Sequence, residues 1–249
     1  MADDHTPQLI IRLDEGGVNV RILKRQIQAD FRRVESASVK LHVRFGSPEG
    51  KRLFVRSFHS FQLLTHFIST IGRINLNDAR IQHFEQTIRA AVDRVTHHLD
   101  LEMDKAEGLF KAHGVTQLAS FDTKPLEMRV PVLSSLTRRY LEAIGKLDHY
   151  MDVLQTLEFY DIWSQSTIDQ QRATLKRDLR EVVRDTRALA ADLRREIDDS
   201  KKDDSKQAAA EGSAPDDPDR GLIELMAAAP PIAADPADPE LEARESEQA

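Results

Sequence analysis

The residues with the clearest chemical potential in this chain are basic, and they are concentrated in one stretch. Between positions 21 and 56, ten Lys or Arg residues stand against three acids, a local net charge of +7, whereas the whole 249-residue chain carries −7. Over residues 39–45 the alternation of residue types places Lys40, His42 and Arg44 on one face. Such a surface attracts polyanions, because Lys and Arg are the side chains that neutralise phosphate groups.

We predict that this basic surface binds nucleic acid. Phosphate contacts supply affinity, and a two-stranded ribbon can also enter the major groove, where Arg or Lys reads guanine. The alternative is a solvated strand face whose cations only keep a sheet edge from aggregating. The candidate contact residues are Lys40, His42, Arg44, Arg52, Arg56, Arg25 and Arg33.

Patterns for catalysis or metal binding are weak. His97 and His98 lie within about one helical turn of acids up to Asp104, but the spacing is not HExxH and no second cluster completes a ligand shell. The absence of Cys excludes thiolate ligands and a cysteine nucleophile. The chain also lacks a GxSxG motif and a glycine-rich phosphate loop. We therefore expect that the protein is not an enzyme and holds no cofactor or metal. A metal enzyme built on His97 and His98 is an alternative to the two hypotheses given below.

Two extended segments are expected to position the basic residues. Residues 39–45 alternate strictly, and residues 52–56 carry Arg52 and Arg56 on alternate positions. Between them, residues 46–50 (Gly-Ser-Pro-Glu-Gly) have the composition of a turn. We predict a basic β-hairpin. A helix over residues 23–34 would precede it, with Arg25 and Arg33 outside its apolar stripe.

The rest of the chain has the apolar spacing of long amphipathic helices. Residues 126–132 are an exception and predict an edge strand or extended connector, because Pro131 disfavours a central strand. The sequence therefore predicts an α+β fold, predominantly α, in which a basic N-terminal β-hairpin packs on a bundle of long antiparallel helices. The helices are expected from Ser57 to about Ile71, from Asn77 to Gly114, from Ser134 or Ser135 to near Trp163, and from Ser166 to Ile197.

Composition divides the chain into three parts. We predict a poorly ordered N-terminus over residues 1–17, a helical domain with the hairpin over 18–199, and a disordered acidic tail over 200–249, which cannot bury enough apolar area to become ordered. A short apolar segment at residues 222–226 could bind a protein partner. With no apolar run near the roughly 18 residues of a membrane span and no signal peptide, we expect a cytoplasmic protein without membrane contact.

One block of residues carries a family resemblance. Residues 131–141 (PVLSSLTRRYL), followed by Leu147-Asp148 and then Trp163, resemble the AcaB-like regulators encoded by conjugative plasmids and integrating conjugative elements. The similarity covers about residues 20–198 and includes the aromatic-rich helix from Ser57. It implies a transcriptional activator of conjugative transfer genes, related to ribbon-helix-helix DNA binders, although the helices here are much longer than in a minimal member. No catalytic residues come with it.

Residues and resemblance together lead to two hypotheses. The first is a DNA-binding transcriptional regulator of a conjugative plasmid or integrating conjugative element, which uses the basic strand or hairpin face on promoter DNA of mobile-element genes and acts as a homodimer. The alternative is a non-enzymatic helical scaffold or adaptor of the conjugation or integrating-element machinery, in which the basic face is incidental. A scaffold would co-purify with a protein and bind DNA only weakly.

Overall fold

The computed structural model describes residues 37–208. The predicted N-terminus over residues 1–17, the helix over 23–34 with Arg25 and Arg33, and residues 209–249 of the tail lie outside the described residues. The elements follow in the order β1 (Val39–Phe45), α1 (Pro48–Leu53), a π turn (Phe54–Phe58), α2 (His59–Asn75), α3 (Asp78–His113), β2 (Leu126–Val132), α4 (Ser135–Phe159) and α5 (Gln165–Ala208).

The fold class is confirmed, since a two-stranded antiparallel sheet accompanies long helices. The partner of β1, however, is not the segment predicted for it. β1 pairs with β2 in a register that runs from Val39 opposite Val132 to Phe45 opposite Leu126. The prediction of a hairpin between residues 39–45 and 52–56 is therefore wrong. The second strand of the sheet lies some eighty residues further along the chain.

The reason is that the expected turn begins a helix. The hydroxyl of Ser47 accepts a hydrogen bond from the backbone N–H of Gly50 at 2.9 Å, and Pro48 occupies the first helical position, where its missing N–H costs nothing. α1 then continues through the π turn into α2, so the predicted start of a helix at Ser57 is also wrong. Instead, the Ser57 hydroxyl donates to the carbonyl of Leu53 at 2.6 Å inside this continuous helical rod.

Most of the other helix ends lie at or next to the capping residues that the sequence predicts. Asn77 caps α3 through its side chain, which accepts from the N–H of Ala79, and Gly114 ends the helix with a φ of 67°. Ser134 caps α4 by accepting from the N–H of Thr137 at 3.1 Å. α5 begins at Gln165, one residue before the predicted start, and runs to Ala208, past the last residue of its predicted stripe, Ile197.

Long-range contacts give the directions of the helices. α1 and α2 form one rod, and this rod runs antiparallel to α3, as α4 does to α5. α3 and α4 run in the same direction, because Asp93 pairs with Arg139 and Asp100 pairs with Lys146. The segment containing β2 brings the chain back between them. α1 and α2 run parallel to α5, as Glu49 lies near Arg172 while a Cβ on Gly72 would contact Leu193. Within residues 37–208, no helix combines the length and apolarity needed to cross a membrane.

Candidate nucleic-acid interface

The outer face of the sheet carries the central part of the predicted basic surface. Lys40, His42 and Arg44 of β1 are exposed on this face, whereas Phe45 is 1% exposed and packs into the core. In the register of the sheet, His42 lies opposite Arg129 of β2 and Arg44 lies opposite Glu127. The predicted alternation of β1 is confirmed, and the binding of nucleic acid by these residues stays a prediction.

The charge of this face is positive in spite of one acid. Arg44 Nε lies 3.5 Å from Glu127 Oε1, but the two side chains are 69% and 52% exposed, so water screens the pair and its energy is small. With Lys40 and Arg129 also charged, the outer face carries a formal +2 with His42 neutral. Arg129 was missed by sequence reasoning. The alternation of residues 126–132, which sets Glu127 and Arg129 on the side opposite the apolar residues, was the signal that could have found it.

Arg52 and Arg56 are separated from the sheet face. Arg52 is exposed on α1, and Arg56 is half-buried in the π turn. Glu49, almost one helical turn before Arg52, lies 4.0 Å from Arg172, which places this part of α1 beside α5. The expectation that Arg52 and Arg56 share a hairpin face with Lys40 and Arg44 is therefore wrong, since they lie on a helix that follows the sheet.

A single carboxylate anchors the end of β1 to the bundle. Asp148 of α4 accepts hydrogen bonds from the backbone N–H groups of Gly46 and Ser47, both at 2.8 Å, and from the Ser47 hydroxyl at 2.6 Å. Gly50 approaches the same side chain so closely that an added Cβ would lie 2.8 Å from the Cβ and Cγ of Asp148. Asp148 thus fixes the turn that leads from the basic strand into α1.

Tyr140 and Arg139, in the segment 131–141, also connect α4 to other helices. Tyr140 is fully buried, its hydroxyl donates to the carbonyl of Leu179 at 3.1 Å, and its ring centroid lies 4.3 Å from that of Phe61. Burial raises the pKa of Tyr140 well above its usual value. Arg139 pairs with Asp93 of α3 at 2.8 Å. This block therefore joins α4 to α2, α3 and α5 rather than presenting a binding surface.

His97 and His98, the candidate metal ligands of the sequence analysis, have different environments. His97 is exposed, whereas His98 Nδ1 lies 3.0 Å from Asp178 of α5 and its Nε2 lies 3.9 Å from the buried Glu102. Burial, and secondarily the charge of Glu102, raise the pKa of the nearby Tyr150. Among the described residues, no group of three or more His, Asp or Glu is arranged to hold a metal ion.

The described residues define a helical bundle that supports a two-stranded sheet with a basic outer face, and this architecture has a counterpart among solved structures. The fold is similar to that of AcaB from uropathogenic E. coli, crystallised in selenomethionine-containing form, with a TM-score of 0.64 and 19% sequence identity. The similarity covers 79% of this chain and 100% of the AcaB chain. The fold is thus AcaB-like. No family model matches the sequence, and no curated protein matches it.

Proposed function

We propose that this protein is a DNA-binding transcriptional regulator of a conjugative plasmid or integrating conjugative element, and that it uses the basic outer face of the sheet. The observation that carries the proposal is the joint placement of Lys40, His42 and Arg44 with Arg129 on one exposed face. The AcaB-like fold supports a regulatory role. The carboxylate anchor at Asp148 gives the strand a fixed orientation, which base recognition requires.

The proposed target is promoter DNA of mobile-element genes, bound by a homodimer in the cytoplasm. A small DNA reader gains affinity and specificity by placing two copies of one surface on paired half-sites. Arg44 and Arg129 supply forked donors that can hold guanine or phosphate, and Lys40 supplies a point charge for phosphate. His42 adds a ring that can accept or donate a hydrogen bond to a base edge.

The experiment is fluorescence anisotropy of the full chain on promoter DNA from its own genetic neighbourhood and on scrambled DNA, across a salt series. The Lys40→Ala/Arg44→Ala variant is measured beside Arg89→Ala/Lys111→Ala, which removes the same charge from two exposed positions of α3. We expect promoter-selective binding that weakens with salt and loses about tenfold or more of its selectivity in the β1 variant only. Equal affinity for both DNAs, or equal losses in both variants, would contradict the proposal.

The second candidate function is a scaffold or adaptor, and one observation favours it. At one end of the bundle Phe159 is 78% exposed, beside Tyr160, and Leu118 is 51% exposed. Leu118 is near them because the N–H of the next residue, Ala119, donates to the Thr156 hydroxyl at 2.9 Å. Exposed apolar side chains grouped in this way mark protein-binding surfaces. A scaffold would be supported by weak, unselective DNA binding together with a protein partner that is lost on Phe159→Ser.

A further inference from the structure

A second basic surface lies on α5, away from the sheet. Arg177, Arg180, Arg184 and Arg187 follow one another at steps of three, four and three residues, and with Glu181 they line a shallow groove. We call these four residues the arginine column. At 1.5 Å per residue it is about 15 Å long. In the sequence, the acids interleaved with these arginines indicate a solvated helix covered by intrahelical ion pairs.

The structure turns Asp178 and Asp185 away from the groove of the column, whereas Glu181 lies at its edge. Asp178 turns towards α3, where it contacts His98 at 3.0 Å. Asp185 and Glu181 line a different cleft, between α3 and α5, together with Arg94. Acidic residues thus lie mainly on the side of α5 that faces α3, and the arginines lie on the other side. Counting Glu181 against the four arginines, the groove carries a formal +3.

The ion pairs of Arg177 and Arg184 are weak. Arg184 contacts Glu181 at 2.5 Å and Asp185 at 3.6 Å, and Arg177 Nε lies 4.0 Å from Asp178. The side chains of Arg177 and Arg184 are 73% and 70% exposed. Pairs this exposed contribute at most about 1 kcal/mol, so a phosphate can replace the carboxylates as the partner of either guanidinium at little cost.

Further basic residues lie on α1 and in the π turn, at the level where the column begins. Because α1 and α5 run parallel from the contact between Glu49 and Arg172, Arg52 and Arg56 lie level with residues 175–179 of α5. Lys176 occupies that level, just before the column. The two arginines that the sequence assigned to the strand face therefore lie at the level where the column begins.

We propose that the arginine column binds the phosphate backbone of double-stranded DNA. The inference rests on the proposed function and deepens it, since the column would supply affinity without sequence information while the sheet face reads the promoter. Four guanidinium groups in a line about 15 Å long match a regular array of negative charge, which duplex DNA provides at one phosphate per roughly 1.7 Å of its axis. The planar fork of Arg also fits phosphate oxygens in a bidentate manner.

The test uses the full chain with Arg177→Gln/Arg184→Gln, titrated onto promoter and scrambled duplexes across a salt series. The control is Arg89→Gln/Lys111→Gln, which removes two exposed cations of α3 with the same change in net charge. We expect the α5 variant to weaken binding to both duplexes equally, on the order of tenfold at low salt. We also expect it to reduce the slope of log K against log salt concentration by about 2, with the control unchanged.

The outcomes separate this inference from the proposed function. If the α5 variant binds like its control while promoter selectivity persists, the column inference is overturned and the regulator proposal stands. If neither duplex is preferred but the α5 variant still loses salt-dependent binding, the column is a general DNA-binding surface and the regulator proposal fails. No duplex binding by the full chain would overturn both, and the column would then suit an acidic protein surface.

Discussion

The part of α4 that contains Tyr140 and Asp148 and the outer face of the sheet differ in what their side chains contact. In this part of α4, Tyr140 is fully buried and Asp148 accepts three hydrogen bonds from the turn after β1. On the sheet face, Lys40 and Arg44 are exposed, and the one ion pair of Arg44 is screened by water. Tyr140 and Asp148 therefore hold the fold together, and the surface proposed for binding lies on the strand that Asp148 supports.

Among substitutions that test this difference between the two regions, we expect the largest loss of stability at Asp148. Replacing Asp148 with Ala leaves the N–H groups of Gly46 and Ser47 without their acceptor, so we expect a loss of about 3 to 4 kcal/mol in the free energy of unfolding. Urea unfolding followed by circular dichroism measures it.

Asp152→Asn is the matched control, one helical turn along α4. Burial, and secondarily the charge of Asp148, raise the pKa of Asp152, so its charged form is unfavourable where it lies. We expect the Asn variant to be as stable as the parent or slightly more stable. If both variants lost the same stability, a specific role of Asp148 as an anchor would be refuted.

The stability of the interior should also respond to acid. Burial lowers the pKa of His59 to about 4, and its ring packs against Phe54 and Phe58. Between its unfolded pKa of about 6.5 and about 4, the unfolded state binds a proton that the folded state does not, so stability falls as the pH drops through this window. We expect a loss of up to about 3 kcal/mol between pH 7 and pH 4 from this residue.

The measurement compares the parent with His59→Gln, which cannot titrate, in urea unfolding at several pH values. The variant should show a smaller loss between pH 6.5 and 4. Some acid sensitivity should remain in both, because burial also lowers the pKa of His66. Parallel stability profiles for the two proteins would show that His59 is readily protonated in the folded state.

A smaller effect is expected from the single hydroxyl of Tyr140. Tyr140→Phe keeps the ring packed on Phe61 but removes the hydrogen bond that its hydroxyl donates to the carbonyl of Leu179, so a loss of about 1 kcal/mol is expected. Thermal unfolding would show it as a drop in Tm of a few degrees. An unchanged Tm would mean that water or another donor replaces the hydroxyl.

The smallest effect on stability is expected on the sheet face. Lys40→Ala/Arg44→Ala should change the free energy of unfolding by no more than about 0.5 kcal/mol, because both side chains are exposed and the pair of Arg44 with Glu127 is weak. Urea unfolding of the variant used in the DNA experiment checks this. A loss above about 1 kcal/mol would show that the face has a structural role, and the difference between the two regions would no longer hold.

Sequence patterns predicted the helices well where capping residues and a long apolar stripe agreed. α3 begins after Asn77 and ends at Gly114 as expected, and Ser134 caps α4. The region after β1 was misread because residues 46–50 suit a hairpin turn and a helix start equally. Ser47 followed by Pro48 and Glu49 is also a good helix N-terminus. A five-residue segment with two alternating arginines is too short to separate a strand from a helix.

The candidate site could be predicted from the sequence only in part, because local patterns show some of its residues and not others. Alternation within β1 is local, so the shared face of Lys40, His42 and Arg44 could be predicted. The contribution of Arg129 depends on a strand pairing between distant segments, which no local pattern encodes. The separation of acids from arginines on α5 likewise depends on where α3 packs, since Asp178 is turned away by its contact with His98.

The π turn at Phe54–Phe58 fixes the number of residues that this part of the helical rod can contain. A π turn holds one residue more than the regular helix on either side, so it offsets the angular phase of α1 relative to α2. Deleting one residue there would restore a uniform helix and rotate Glu49 and Arg52 by about 100° about the axis, out of phase with α5. The number of residues at this point therefore cannot change without rotating one half of the rod relative to the other.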